Sequence, residues 1–167
     1  MSTHLDCTLN ICGLLTLPKQ KALLDILMRT NSDVGDLDDL CHEHKNTEPL
    51  SIYFEYIEEG EICQEMMDEM AALKLPYFWD AHGHEHIGPF RVIWDPKTQK
   101  PQKFHFDADR NPWIPASALR ANNLPHYERF LHLNDVLPET PALLANTAHS
   151  ALTTIHHLPE DQKEFFV

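Results

Sequence analysis

His82, His84 and His86 alternate with Gly83 and Glu85. On extended backbone that alternation would set three imidazoles on one side, as a divalent metal ion requires. Gly83 and Gly88 favour a loop over a strand here, and neither a fourth ligand nor a partner for the ring nitrogens is evident nearby. The triplet supports one of two functional readings, a metal-dependent enzyme or metal-binding module built on these histidines. A second group, Cys41-His42-Glu43-His44, puts a thiol beside imidazoles. Nucleophile and base usually converge from different elements, so adjacency in sequence is weak support for catalysis. The chain has no GxxxxGK[ST], GxGxxG, GxSxG or HExxH, which disfavours the common nucleotide and hydrolase chemistries. No catalytic residue and no cofactor is assigned, and the expected class is non-enzymatic.

The third group is acidic. Glu61, Glu65, Asp68 and Glu69 are spaced to fall within an arc of about 100° on a helix, opposite Ile62, Met66 and Met70. No lysine lies on that face to offset them, although the helix dipole favours Glu61. Most charge runs of this kind are solvated faces. As a site, the face would join Glu58, Glu59 and the cluster Asp33, Asp36, Asp38 and Asp39 to imitate a nucleic-acid backbone before a basic groove.

The wider charge pattern favours that use. Residues 31–80 hold fourteen acids against two bases, net −12, in a chain of net charge −13. Such a field repels nucleic acid and anionic membrane, so neither is an expected direct partner. A basic protein or nucleoprotein complex is the natural one. The N-terminus lacks the basic and apolar regions of a secretion signal, and no stretch approaches the ~20 apolar residues needed to cross a bilayer, which points to the cytoplasm. Cys7, Cys12 and Cys63 sit in apolar patterns with no CxxC pair, as buried reduced thiols do.

These groups must be held by a fold. Residues 5–11 alternate apolar and polar as a half-buried strand, which Gly13 breaks. Pro18 suits the first turn of a helix whose apolar face is Leu23, Leu24, Leu27 and Met28, ending at Asn31-Ser32. A long polar connection leads to a strand at 51–57, a Glu58-Glu59-Gly60 turn, and the acidic helix, closed by Pro76. Residues 77–79 predict a short strand, and 90–94 with 104–106 a hairpin whose loop carries Lys97, Lys100 and Lys103. Helical pieces are expected from Pro115, Pro125 and Pro141, the last capped by Thr140 and lined by Leu143, Leu144, Ala148 and Leu152. The aromatics Tyr53, Tyr56, Tyr77, Phe78, Trp79, Trp94 and Trp113 are expected mainly in the core. The order β-α-β-α-β-β-β followed by short C-terminal helices predicts an α+β fold, an antiparallel or mixed sheet with two helices on one face. Residues 1–153 form one domain in this reading, and residues 154–167 a tail or a docked segment.

Gly13-Leu14-Leu15-Thr16-Leu17-Pro18, Ile52-Tyr53-Phe54-Glu55-Tyr56-Ile57-Glu58-Glu59-Gly60 and Leu73-Lys74-Leu75-Pro76-Tyr77 together resemble a pattern in an uncharacterised family of small acidic accessory proteins from phages and plasmids, over roughly residues 8–120. The resemblance carries no catalytic residues. It implies a mobile-element origin and, by that context, inhibition of a host defence complex of the CRISPR or restriction kind.

Overall fold

The computed structural model describes residues 4–30, 44–58, 61–83, 88–121, 124–145 and 148–166. Strand β1 (His4–Ile11) lies second from one edge of the main sheet. Strand β3 (Leu50–Glu58) pairs antiparallel with one of its edges and β4 (Tyr77–Ala81) with the other. Beyond β4 the chain meanders through β5 (Phe90–Trp94), β6 (Gln102–Phe106) and the two-residue β7 (Pro112–Trp113), giving the order β3-β1-β4-β5-β6-β7. The period-two pattern read from sequence is realised in burial: Cys7, Leu9 and Ile11 point to one side, Thr8 and Asn10 to the other.

The first side is covered by helix α1 (Leu17–Thr30) and helix α2 (Glu61–Ala72), which pack on each other. Their Leu23, Ile26, Leu27, Met66 and Met70 meet Leu9, Ile11, Phe54, Tyr77, Trp79 and Trp94 in the larger core. The stacking of Tyr77 on Trp94, with ring centroids 5.7 Å apart, follows from their being directly opposed across β4 and β5. This is the expected α+β arrangement. The sheet's other side is covered at its β4–β6 end by a third long helix, α4 (Leu124–Val136), which follows the short α3 (Ala116–Arg120). Phe130 and Leu133 of α4 join Cys12, Phe78, Ile93, Phe104 and Leu137 in a second core. Sequence reading had placed only short helical pieces here. Cys7 and Cys12 are buried and not joined in a disulfide. Burial pushes the Cys12 thiol far above its ordinary range, against the opposing charge of Arg91, and leaves it inert at neutral pH.

Two expectations are corrected. Gly13 does not end strand structure: β2 (Gly13–Thr16) follows at once and pairs in parallel with β8 (Ala142–Ala145). The helix expected from Pro141 is therefore a strand there. Thr140 is not its cap; its hydroxyl donates to the Val136 carbonyl at 2.8 Å, after the 3₁₀ turn Leu137–Glu139. Ala and Leu are good helix formers, but local propensity amounts to tenths of a kcal/mol per residue and yields to a waiting strand edge. Residues 44–48 support β8 further. The Glu48 carbonyl accepts from the Ala142 N–H, Asn46 Oδ1 accepts from the Leu144 N–H, and His44 Nε2 lies 2.8 Å from the Ala142 carbonyl.

The C-terminal segment is docked. Helix α5 (Ala148–His157) runs through residue 153, and α6 (Glu160–Lys163) with the 3₁₀ turn Glu164–Phe166 carries Phe165 onto the second core. Glu164 joins a charge cluster with Arg129 and Lys97, and Arg129 also holds the buried Asp95. Desolvation is the largest single influence on Arg129 and on Glu164. It is outweighed by their hydrogen bonds and opposite charges, which hold Arg129 above and Glu164 below its ordinary value.

Gly13 lies close to the docked segment. Its φ is +92°, and a Cβ there would stand 3.1 Å from the Phe165 carbonyl oxygen and 3.3 Å from Pro76 Cδ. Gly13→Ala is expected to cost about 1–3 kcal/mol through backbone strain and that contact. Urea denaturation checks the loss. Amide exchange should quicken first in residues 160–166, and a uniform change across the chain would argue against the docking role.

Candidate functional site

Among the described residues the acidic candidates belong to strand β3 and helix α2. Strand β3 is an edge strand, and it leads to α2. Glu58 lies in β3, and Glu61 and Glu65 lie in α2; their side chains, with Glu59 and the cluster Asp33, Asp36, Asp38 and Asp39, fall outside the described residues. Asp68 is exposed, and Glu69 is half-buried. Glu69 takes both guanidinium nitrogens of Arg29, Nη1 to Oε1 at 3.1 Å and Nη2 to Oε2, from the last turn of α1. A base from the neighbouring helix thus offsets this carboxylate, which the spacing within α2 alone had not disclosed. With Arg29 61 % exposed, the pair contributes at most about 1 kcal/mol.

The histidine triplet is only partly described. Strand β4 ends at Ala81, and Gly83 has φ 61°, so extended backbone does not continue from His82 towards His84. His84 and His86 lie outside the described residues, as do Cys41, His42 and Glu43. His82 is exposed, and its Nε2 is 2.9 Å from the Thr8 hydroxyl. Among the described residues no carboxylate orients its other ring nitrogen, so the pair lacks the third member of a nucleophile, base and orienter set. His44 is the support for β8 described above.

The structure brings together a group that sequence reading missed. Tyr53, Thr8, Asp80, Arg91 and Phe104 are successive cross-strand partners on β3, β1, β4, β5 and β6, and so form one row across the sheet on the α4 side. Helix α4 covers the Phe104 end. At the other end Tyr53 is 54 % exposed, its ring 6.4 Å from that of His82. Between them Arg91 donates Nε to Asp80 Oδ1 at 2.6 Å, Nη2 to Oδ2 at 2.8 Å and Nη1 to Asn134 Oδ1 at 3.2 Å. Its guanidinium lies 4.5 Å from the Phe78 ring centroid and 5.7 Å from that of Phe106. A planar cation fixed by a two-pronged ion pair and flanked by aromatic rings is held rigidly.

Of this group, Asp80, Arg91, Asn134 and Phe106 line a cleft of about 250 Å³ together with His82 and Arg110. The sequence did carry a signal for it: Asp80 and Arg91 are lone charges inside the apolar runs 77–81 and 90–94. Pairing those runs as a hairpin would have set them opposite each other. Of the aromatics expected inside, Tyr77, Phe78, Trp79 and Trp94 are buried, whereas Tyr53 and Trp113 are exposed. No helix among the described residues is long and apolar enough to cross a membrane. No family model, curated protein or solved structure matches the chain.

Proposed function

We propose that this protein is a non-enzymatic binding protein whose acidic half occupies a basic, nucleic-acid-binding surface on a partner protein or nucleoprotein complex. The observation that carries the reading is the separation of charge. Residues 31–80, which supply edge strand β3, helix α2 and strand β4, have net charge −12. Residues 90–129, which supply β5 to β7, α3 and the first part of α4, hold seven bases against four acids. Solubility requires net charge but not its segregation, whereas a directional field steers and orients association with a surface of opposite sign. The resemblance to phage and plasmid accessory proteins makes a host defence complex, of the CRISPR or restriction kind, the partner class, and inhibition by occupancy the mode.

The test is charge reversal on α2. Glu61→Lys with Glu65→Lys leaves the buried Met66 and Met70 and the Arg29–Glu69 pair in place, so the thermal midpoint should stay within a few degrees. A partner captured from nuclease-treated host lysate should then bind at least about tenfold more weakly, with a flatter salt dependence. Unchanged affinity in the doubly reversed protein would move the interface off α2. Salt-sensitive binding of the native protein to duplex DNA at ~0.15 M salt would contradict mimicry outright.

A further inference from the structure

We infer that the cleft between the ends of β4, β5 and β6 is a binding site for a small oxyanion attached to a flat apolar group. The inference stands apart from the acidic surface. In a chain of net charge −13, the described lining of this cleft holds two arginines against one carboxylate. Asp80 is fully engaged by Arg91, which still has two N–H groups beyond the three given to Asp80 and Asn134. Arg110 forms no ion pair or side-chain hydrogen bond with any described residue.

The position of Arg110 is set by its turn. Asp107 accepts the Asp109 N–H at 2.9 Å and the Asn111 N–H at 2.8 Å, which holds the backbone at Arg110 at φ 62°. Hydrogen bonds from Asn111, backbone first and then side chain, keep the Asp107 carboxyl below its ordinary value, so this turn stays charged and formed at neutral pH. Two guanidinium groups with unused N–H donors facing one cleft suit a phosphate or a carboxylate, which accept such donors in pairs. His82 adds an imidazole on the lining. Phe106 and Pro89 supply the apolar part of the wall. The volume lies just below the range of drug-sized sites, which limits the ligand to about the size of a nucleoside monophosphate.

Isothermal titration of the full chain at low ionic strength, with adenosine monophosphate, benzoate and inorganic phosphate as separate probes, tests the inference. A ring-bearing probe should bind at one site per chain and more tightly than phosphate alone. Preference for adenosine monophosphate assigns a phosphate ester, and preference for benzoate a carboxylate. Arg110→Gln, which leaves the Asp80–Arg91 pair intact, should weaken binding about tenfold or more, while Lys100→Gln, outside the cleft, should not. Failure of all three probes to saturate, or affinity unmoved by Arg110→Gln in a protein with native circular dichroism, would overturn it.

Discussion

Replacing Arg129 with Met should destabilise the protein by about 3 kcal/mol, near the lower end of the cost of stripping one partner from a buried ion pair. Asp95 is 1 % exposed, and Arg129 reaches its Oδ2 through Nε and Nη2, each at 3.2 Å. Without the guanidinium, the carboxylate keeps the Lys97 backbone N–H on Oδ1 at 2.7 Å but no compensating charge from Arg129. That remaining bond, and the partial exposure of Arg129, set the lower end. Urea denaturation measures the loss, and Asp95→Asn added to Arg129→Met should recover a large part of it. A loss below about 0.5 kcal/mol would mean that water already shares the pair.

The same cluster predicts an acid limb. Glu164 has a folded value below its unfolded value of about 4.5, so its contribution is present above that pH and lost as pH falls through the lower folded value. In the Arg129→Met protein that part of the acid sensitivity should shrink, because its hydrogen bond to Arg129, the largest cause of the lowering, is gone.

Phe130→Ala should cost about 3–5 kcal/mol, as truncations of fully buried phenylalanine do. Its side chain is wholly enclosed, 6.2 Å from the Phe104 ring at an interplanar angle of 60° and 4.8 Å from His126 at 70°. It is also what ties α4 to the second face of the sheet, together with Leu133. The effect should therefore appear both as lower stability in urea and as faster amide exchange in α4 and β6 than in β1 and β3. Leu152→Ala, at a side chain 64 % exposed, should change stability by less than about 0.5 kcal/mol. Similar losses for the two variants would show that the second face is loosely packed.

Residue alternation and helical spacing were enough to read β1, β3 and the helices α1 and α2. Each buries one face of a repeating pattern, and burial writes that pattern into the residues themselves. The hairpin carrying Lys97 to Lys103 was legible from its apolar, aromatic runs and the prolines between them. Regional acidity was equally legible, since charge is a property of composition. The strand at Ala142–Ala145 was not legible. Its four residues are apolar helix formers with no alternation, and only the exposed edge of Gly13–Thr16, brought alongside from the far end of the chain, makes them a strand. A docked C-terminal segment was one of two readings of residues 154–167, but the pairing of Glu164 with Arg129 and Lys97 was not legible, because an ion pair between distant residues leaves no period in either.

The cleft marks the same division. Asp80 and Arg91 were visible as lone charges in apolar strands, but their value depends on register: directly opposed they neutralise each other, and one step out of register each would face the opposite side of the sheet. Arg110, supplied by a turn nineteen residues beyond the nearest other arginine on the lining, has no local pattern at all. Composition and periodicity therefore determined which residues are inside and where the charge lies. Strand register, helix docking and turn geometry decided which charges are spent on each other and which face a ligand, because pairing depends on distances of a few ångströms between segments that the chain order leaves far apart.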